Sequence, residues 1–337
     1  MNKKEQKFLA AHGFYLDLDL KALTQQVQQD MINGLSGKRS DQDMFLTYFN
    51  PSQIKNQEKS VVVIDAGGTN FRSSLVTFTQ GGASIISNFQ KTKMPGAEGE
   101  VSKKDFFAQI AKNIERFKDS CDEISFCFSY AMTITEDHDG ILKNFSKEIK
   151  ATEVVGCFIG AELKDALKEA GWRKIPHVIL LNDAAASLIA GTGTSKYSSY
   201  IGLILGTGLN CAYLQNAKPE WELTKQIIVC ESAKFSGFKN SDFDILMDEK
   251  SVKPGSSPYE KLCSGAYLGP LALEILQIAA KERLFSDTFA SSLEKREKLT
   301  LIELDAFLTK SSPESENYSN LFLMKMGQAM MTARFCS

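Results

Sequence analysis

The segment that decides the fold is Val61-Val62-Val63-Ile64-Asp65-Ala66-Gly67-Gly68-Thr69-Asn70-Phe71-Arg72, in which an apolar run meets an acidic residue and then two glycines. The apolar run predicts one strand, the glycines predict a turn, and residues 71–78 predict a second strand. Adjacent glycines let backbone N–H groups approach an anion closely, as in a phosphate-binding nest. Because no lysine follows the glycines and no helix begins there, the segment is not a Gly-x-x-x-x-Gly-Lys-Ser/Thr loop. An ordinary β-hairpin turn is the alternative explanation.

The same order of features returns later in the chain, where residues 200–213 give a strand, the turn Gly206-Thr207-Gly208, an asparagine and another strand. Two phosphate-type hairpins in separate halves indicate a duplicated domain that binds one nucleotide between its copies. In the first hairpin, Asp65 lies at the end of a strand, where a carboxylate can reach Mg²⁺ through water. Thr69 and Arg72 supply further hydrogen-bond donors.

The composition is that of an ordinary soluble globular protein, with 43% hydrophobic and 24% charged residues among 337. A net charge of −2 and a pI near 6.1 argue against a general binder of nucleic acid or of anionic membranes. Seven cysteines without Cys-x-x-Cys spacing and three scattered histidines argue against structural zinc and favour reduced thiols in a cytoplasmic protein. No apolar run approaches the roughly 18 residues of a membrane helix, and a signal peptide is not expected.

Hydrophobic periodicity and turn residues predict strands and helices in an order that is typical of an α/β fold. We predict helices over residues 14–35, 102–114, 158–170, 258–280 and 295–335, the last broken by a polar loop at 311–317. We predict further strands over residues 84–89, 123–128, 176–181, 200–205, 209–215 and 226–231. Ser102 is a predicted helix start and Gly171 a predicted helix stop.

Asn182 and Asp183 follow an apolar strand and precede an alanine-rich segment, Ala184-Ala185-Ala186. Aspartate is a preferred N-cap, and its charge suits the helix dipole, so a capping role worth about 1 kcal/mol explains Asp183 without any function. The functional alternative is a carboxylate at the carboxyl end of a strand, where open α/β sheets present their ligand sites. There Asp183 can accept a proton from a substrate hydroxyl.

Other polar residues also stand at the ends of predicted elements. Ser129 ends one strand, and Ser146-Lys147 lies on the loop that follows. Glu231 ends a later apolar strand, and Glu260 lies near the start of a helix. Serine, lysine and asparagine groups beside a carboxylate are what a polyol needs for its hydroxyls. Taken singly, Lys147 is explained as a surface lysine, and Glu231 and Glu260 are better explained as solvated acids or helix-start residues than as ligands.

Taken in order, these motifs resemble those of the hexokinase family of the actin-like sugar kinase superfamily. Residues 65–72 and 206–210 resemble its two phosphate motifs, and Asn182-Asp183 resembles its catalytic connection. Ser129, Ser146-Lys147 and Glu231 resemble its sugar-binding residues, and residues 259–269 resemble its Tyr-Glu-Lys segment. The similarity is collinear from about residue 25 to about residue 335.

The resemblance implies a two-lobed actin-like ATPase (ribonuclease H-like) fold, with duplicated mixed-sheet domains and a cleft that closes on a hexose and Mg-ATP. Residues 1–55 would form a helical segment that packs on the large lobe. Residues 56–183 would form the small lobe, and residues 184–337 the large lobe.

The resemblance also implies an activity, the transfer of the ATP γ-phosphate to the 6-hydroxyl of a hexose, with glucose as the first expected substrate. Asp183 would accept the proton of that hydroxyl, and Asp65 would organise Mg²⁺ through water. The sugar hydroxyls would be held by Ser129, Ser146, Lys147, Asn182, Asn210, Glu231 and Glu260. The ATP phosphates would be bound by Gly67, Gly68, Thr69, Asn70, Arg72, Gly206, Thr207 and Gly208. Beyond this small-molecule substrate, no nucleic-acid or membrane partner is expected.

The sequence departs from the family pattern in several places. Ser146 stands where the family usually has threonine, Ala131-Met132 replaces a Pro-Cys or Pro-Gly pair, and Ala233 stands where a glycine is usual. After Arg334 the family's glycine-rich adenosine motif is missing, so we expect a truncated chain whose larger lobe is incomplete. The alternative function is therefore a sugar-binding protein or fragment with impaired or no kinase activity, which would bind glucose but hold ATP poorly. A filament-forming actin-like protein would not explain the order of the sugar motifs.

Overall fold

The computed structural model describes residues 3–14, 17–53, 58–68, 70–79, 84–145, 149–192 and 197–310. Its strands are β1 (Met44–Leu46), β2 (Lys59–Gly67), β3 (Asn70–Phe78), β4 (Ser84–Lys93), β5 (Glu123–Phe128), β6 (Ala131–Ile134), β7 (Gly140–Asn144), β8 (His177–Leu181), β9 (Ile201–Leu205), β10 (Leu209–Gln215) and β11 (Gln226–Cys230). Its helices are α1 (Lys3–Ala11), α2 (Leu20–Leu35), α3 (Lys103–Asn113), α4 (Ile159–Glu169), α5 (Asp183–Thr192), α6 (Asp242–Glu249), α7 (Pro258–Cys263), α8 (Leu268–Lys281), α9 (Asp287–Glu294) and α10 (Leu301–Lys310). The architecture is therefore α/β.

The chain divides into two compact units. Unit 1 comprises residues 1–44, 204–210 and 230–337, and unit 2 comprises residues 45–203 and 211–229. A four-stranded sheet has the order β1-β11-β10-β9, and a five-stranded sheet has the order β4-β3-β2-β5-β8. No described helix is both long enough and apolar enough to cross a membrane.

The five-stranded sheet belongs to unit 2 and brings the ends of three strands together. Strand β2 pairs antiparallel with β3 and parallel with β5, and β5 pairs parallel with β8. Alternate residues of β2 and β5, such as Ile64 and Phe126, are fully buried in a core completed by α3 and α4. Because parallel strands end at the same edge of a sheet, the segments after β2, β5 and β8 meet at one edge.

Unit 1 has its own hydrophobic core, which helices distant in sequence form together. Phe8 and Leu9 of α1 pack with Phe243 of α6 and with Leu271 and Ile275 of α8. These side chains are at most 4% exposed. The core therefore joins the N-terminal helix to α6 and α8.

Several elements predicted from the sequence are confirmed. The hairpin of β2 and β3 lies where the glycine pair predicts it, and β5, β8 and β9 to β11 match their predicted strands to within one residue. Ser102 caps α3 by accepting a hydrogen bond from Asp105 N. Gly171, after α4, has φ +76, a conformation that favours glycine.

Other predicted elements are wrong in their bounds. The helix predicted over 14–35 begins at Leu20, because the Asp19 carboxylate accepts a hydrogen bond from Ala22 N at 2.9 Å and caps it there. The helix predicted over 258–280 is two helices, α7 and α8. The strand predicted over 84–89 continues to Lys93.

Some elements have no counterpart in the prediction, namely β1, α1, α6, α9 and the short hairpin of β6 and β7. Of the helix predicted over 295–335, α10 covers residues 301–310, and residues 311–337 lie outside the described residues.

Candidate active site

The first predicted phosphate turn joins β2 to β3 through a two-residue loop. Gly67 pairs with Asn70, and Gly68 has φ +58, which glycine adopts without steric cost. The hydroxyl of Tyr130 donates a hydrogen bond to the Gly68 carbonyl oxygen at 2.8 Å. The buried side chain of Tyr130 therefore stabilises the turn through this hydrogen bond.

Asp65 and Arg72 face each other across this hairpin. Their register pairs them directly, and Arg72 Nη1 donates to Asp65 Oδ2 at 2.6 Å. The two side chains are 41% and 39% exposed, so the ion pair stabilises the fold little and leaves both charges open to a ligand. A cation and an anion at the same strand end suit a phosphate with a bound metal ion.

Ser129 lies beside the first turn. Its backbone N–H donates to the Ala66 carbonyl oxygen at 3.0 Å. A methyl group on Gly67 would lie 3.0 Å from Ser129 Oγ and 3.1 Å from Ser129 Cβ. Gly67 therefore leaves room for the Ser129 hydroxyl, and the phosphate turn and the predicted sugar serine are in contact.

Asn182 and Asp183 come directly after β8 and begin α5. Asn182 Oδ1 and Asp183 Oδ1 both accept a hydrogen bond from Ala184 N at 2.9 Å. Asn182 and Asp183 therefore share the role of capping α5. Capping alone was the alternative to a catalytic role for Asp183. Asp183 is half-buried, and its carboxylate remains available for further contacts.

Cys127 lies on β5, between the strands that precede the first turn and Asn182. The sequence analysis gave it no role. In the sheet it is paired with Asp65 of β2 on one side and with Leu181 of β8 on the other. Burial, and after it the negative charges of Asp65 and Asp183, raise the pKa of Cys127 to about 12, opposed by a hydrogen bond with the Ser129 side chain. Cys127 thus lies among both carboxylates and the predicted sugar serine.

Three predicted site residues, Thr69, Ser146 and Lys147, lie outside the described residues.

In unit 1, the second predicted phosphate turn contacts a predicted sugar carboxylate. Leu209 N donates to Glu260 Oε2 at 2.9 Å, and a methyl group on Gly208 would lie 2.6 Å from the same oxygen. Gly206 N donates to the Gly208 carbonyl oxygen at 3.0 Å and closes the turn. Gly208 therefore allows the Glu260 carboxylate to approach the backbone of the turn.

Asn210 and Glu231 form a second polar pair in unit 1. Asn210 Nδ2 donates to Glu231 Oε1 at 3.2 Å. Glu231 N donates to the Asp43 carbonyl oxygen at 2.9 Å, and the Asp43 carboxylate pairs with Lys234. The amide and the carboxylate together present the mixed donors and acceptors that a sugar hydroxyl pair requires.

The link between α7 and α8 supports the second turn, a contact that the prediction of one continuous helix missed. Gly265 N donates to the Gly206 carbonyl oxygen at 2.8 Å, and Ala266 N donates to the Thr207 carbonyl oxygen at 3.2 Å. A side chain on Gly265 would lie 2.9 Å from the same Gly206 oxygen. The helix breaks at residues 264–267 because its backbone bonds to the turn instead.

An open cavity of about 490 Å³ lies beside this turn in unit 1. Its volume falls in the usual range for small-molecule sites. Its lining is predominantly apolar, and the residues are Leu205, Gly206, Thr207, Cys263, Gly265, Ala266, Leu268, Thr300, Leu301 and Ile302. Thr300, which precedes α10, and Leu301 and Ile302, at its start, belong to no motif that is recognisable in the sequence.

Among the described residues, no three His, Cys, Asp or Glu side chains come together as a metal site. Mg²⁺ that is bound with a nucleotide needs fewer protein ligands, because it keeps several waters and takes one or two carboxylates besides the phosphates. The exposed carboxylate of Asp65 beside the first turn fits that smaller requirement.

Two family models, both described as hexokinase, match the chain over residues 10–192 and residues 200–334. The first alone spans more than half of the chain. A curated relative, Hexokinase-5 of Oryza sativa subsp. japonica, is 28% identical over 316 residues, which are 87% of this chain and 62% of that protein. Hexokinase-1 of Schizosaccharomyces pombe is 28% identical over 276 residues, 76% of this chain and 57% of that protein. The chain thus spans about three fifths of the length of these relatives.

Solved structures show the same fold. A hexokinase from Schistosoma mansoni complexed with glucose has a TM-score of 0.75 and 21% identity, covering 99% of this chain and 84% of that one. A second hexokinase structure has a TM-score of 0.72 and 19% identity, covering 99% of this chain and 81% of that one.

Proposed function

The chain belongs to the hexokinase family, and we propose that it transfers the γ-phosphate of ATP to the 6-hydroxyl of a hexose. The observation that carries this proposal is one sheet edge of unit 2, where the first phosphate turn, Ser129 and Asn182-Asp183 follow the ends of the adjacent strands β2, β5 and β8. A carboxylate, a hydroxyl and a phosphate-type turn at one sheet edge are the groups that a phosphoryl transfer to an alcohol needs. Glucose is the first substrate to test, because the related Schistosoma structure is complexed with glucose.

Asp183 is the proposed general base. It accepts the proton of the attacking hydroxyl, a contribution of about 10²- to 10⁴-fold in rate. The cap that it provides to α5 does not compete with this role, since Asn182 accepts from the same N–H group. Most of the remaining catalysis comes from positioning and charge stabilisation, because little covalent work falls to the protein in phosphoryl transfer.

The proposed sugar ligands lie in both units. In unit 2 they are Ser129 and Asn182, and in unit 1 they are Asn210, Glu231 and Glu260. Asn210 donates to Glu231, and Glu260 accepts from the backbone N–H of Leu209. Ser146 and Lys147 complete the set by resemblance to the family. Carboxylates accept and amides donate, so the set matches hydroxyls that do both.

Each turn is proposed, within its own unit, to bind phosphate oxygens of a nucleotide. Gly67, Gly68, Thr69, Asn70 and Arg72 of the first turn, and Gly206, Thr207 and Gly208 of the second, would bind phosphate oxygens. The adenosine would occupy the cavity beside Thr207, because that cavity is apolar, of ligand size and continuous with the second turn. Asp65 would hold Mg²⁺ through water, and the bound ion would neutralise phosphate charge.

The experiment that tests the proposed function is product identification. The purified chain, incubated with glucose and Mg-ATP, is expected to yield glucose 6-phosphate and ADP in equal amounts, as followed by phosphorus NMR. Mannose and fructose are tested alongside. Formation of ADP with inorganic phosphate and no sugar phosphate, or the absence of any product with all three sugars, would contradict the proposal.

A further inference from the structure

Unit 1 contains a second cavity, of about 310 Å³, that none of the proposed sugar or nucleotide ligands lines. Residues 13–14 and 17–19, between α1 and α2, form one part of its wall, and the beginning of α2 continues it. Residues 237–244 and helix α7 contribute the facing part. The volume lies at the lower end of the usual range for small-molecule sites, so it suits a compact ligand. We refer to it as the α2–α7 cavity.

One wall of the α2–α7 cavity is aromatic. The rings of Phe238 and Tyr259 lie 4.4 Å apart, centroid to centroid, at an interplanar angle of 31°. Phe235 packs edge-on against Phe238 at 5.4 Å. Phe14 and Leu262 belong to the same lining and are at most 9% exposed. Because the rings are packed against one another, they offer an ordered surface on which a ligand ring can pack.

The charged side chains of the described lining favour a cation. They comprise three carboxylates, Asp17, Asp19 and Asp244, and one lysine, Lys239. Asp244 is buried, and its Oδ2 accepts from Ser241 N at 2.8 Å and from Ser241 Oγ at 2.7 Å. Asp17 and Asp19 are exposed, so they can meet a ligand that arrives from solvent. The excess of carboxylates over lysine attracts a cation and repels an anion.

Helix α7 connects this cavity with the second phosphate turn. Its residues Tyr259, Leu262 and Cys263 line the α2–α7 cavity, and Cys263 also lines the cavity of about 490 Å³ beside the turn. On the same helix, Glu260 accepts a hydrogen bond from Leu209 N of the turn at 2.9 Å. The helix has only six residues, so a ligand that packs on Tyr259 acts on the same short element that contacts the turn.

We propose that the α2–α7 cavity is an effector site for a small aromatic cation, whose binding stabilises α7 and the second turn. The aromatic wall selects a planar ring, and the excess of carboxylates selects a positive charge. A ligand shifts a protein toward the arrangement that it binds more tightly. Contacts to Tyr259 favour the arrangement in which Glu260 accepts from Leu209 N. The effector site stands without the proposed function, and only its effect on a nucleotide rests on that function.

Benzylamine is the probe for binding, and benzoate is the matched compound of opposite charge. We expect benzylamine to bind at least about tenfold more tightly than benzoate at low ionic strength, as measured by ligand-observed NMR titration. Asp17→Asn is expected to weaken benzylamine binding about twofold to fivefold without weakening benzoate binding. Phe238→Leu, which removes the ring but stays apolar, is expected to weaken the binding of both compounds at least about threefold.

Matched controls come from unit 2, outside this cavity. Glu136→Gln removes an exposed carboxylate and Phe89→Leu an exposed ring, and neither is expected to change the affinity for benzylamine. Melting curves verify that all four variants are folded. Equal affinities of the native chain for benzylamine and benzoate would overturn the proposed ligand class. A benzylamine affinity that neither Asp17→Asn nor Phe238→Leu changes would overturn the site.

The effect on α7 is measured by hydrogen–deuterium exchange with mass spectrometry, which needs neither sugar nor nucleotide. Saturating benzylamine is expected to slow exchange at least about threefold in peptides that contain Leu209, Gly265 and Ala266, whose N–H groups bond to Glu260 or to the turn. Exchange in α4 of unit 2 is the internal control. Benzylamine binding without slower exchange in these peptides would overturn the effector role. If both results hold but no sugar phosphate forms, the proposed function fails and the effector site stands.

Discussion

A side chain on Gly67 would press against Ser129, so a substitution at Gly67 tests whether the position of Ser129 matters for binding. The φ of Gly67 is not in the positive region, so alanine is compatible with the backbone, and the contacts with Ser129 Oγ and Cβ oppose it. The same reasoning applies to Gly208 and the Glu260 carboxylate in unit 1. At the residue scale, the two phosphate turns are thus shaped around the side chains that we propose to bind sugar.

Gly67→Ala is expected to displace the Ser129 side chain by a few tenths of an ångström and to weaken glucose binding roughly threefold to tenfold. Calorimetric titration with glucose measures the effect. Gly99→Ala is the control, because nothing lies within 4 Å of its added methyl group and its φ is not positive. Equal glucose affinities for both variants would mean that Ser129 does not bind the sugar.

The residue scale also shows what the sequence was able to predict. The hairpin follows from the glycine pair between two apolar runs, so the sequence predicts it. The register that pairs Asp65 with Arg72 comes from the pairing of Gly67 with Asn70, which the sequence did not specify. The contact of Ser129 with Gly67 joins strands that are about 60 residues apart, and only the family resemblance suggested it. Cys127 was missed because its neighbours come from the register of three strands, which no local pattern specifies.

At the scale of elements, the break between α7 and α8 is the feature that ties a helix to the second turn. Residues 258–280 have helical periodicity, and a single internal glycine is tolerated in a helix, so the sequence favours one long helix. The backbone of Gly265 and Ala266 instead donates to the carbonyl groups of Gly206 and Thr207. A tertiary contact overrides the local preference here.

Gly265→Ala is expected to push this link away from the turn, because the new methyl group would lie 2.9 Å from a backbone oxygen that cannot rotate aside. We expect the Kd for ATP to rise about tenfold or more and the Kd for glucose to rise less, since the link lines the proposed adenosine cavity. Titration with each ligand separates the two effects. A larger loss of glucose affinity than of ATP affinity would contradict the placement of the nucleotide.

Within unit 1, His12 links the end of α1 to α6 and α8 through two carboxylates. His12 Nδ1 lies 3.1 Å from Asp242 Oδ2 at the start of α6, and His12 Nε2 lies 2.6 Å from Glu282 Oε1 after α8. Burial alone would lower the pKa of His12, but the hydrogen bonds and charges of Glu282 and Asp242 outweigh it and raise that pKa above 6.5. The imidazolium is therefore favoured in the folded chain.

This linkage predicts a pH dependence of stability. Because the folded-state pKa of His12 is raised, its contribution is fully present below about pH 6.5 and is lost as the pH rises through the raised pKa. His12→Gln is expected to melt at a lower temperature than the native chain at pH 6, with the difference shrinking toward pH 9. Melting curves at matched ionic strength measure it. A difference that grows with pH would contradict the assignment.

At the scale of the whole molecule, the predicted site residues fall into two clusters, one in each unit. Unit 2 holds the first phosphate turn, Ser129, Asn182 and Asp183, and unit 1 holds the second turn, Asn210, Glu231 and Glu260. The α/β architecture and the duplicated turn were predictable because both follow from local strand and glycine patterns. The division of the chain into these two units does not follow from local patterns, since each unit is assembled from segments that are distant in sequence.

Glucose is expected to raise the melting temperature of the chain by mass action, because a ligand that binds only the folded state stabilises it. At 100 times its Kd, the stabilisation is about 2.7 kcal/mol. Differential scanning calorimetry over a concentration series measures the shift, with mannose and fructose in parallel and glycerol, a polyol without a sugar ring, as the control. A melting temperature that does not change with any of the three sugars would contradict the proposal that the chain binds a hexose.

The most direct test of the central claim is the turnover of Asp183→Asn beside that of the native chain. Asparagine keeps an oxygen that can accept from Ala184 N, and Asn182 accepts from it as well, so α5 should remain capped and the melting temperature nearly unchanged. We expect glucose affinity within about tenfold of native and the rate of glucose 6-phosphate formation lower by at least about 10², the loss of a general base. Turnover close to native in a well-folded Asp183→Asn chain would show that Asp183 is a helix cap and not the base.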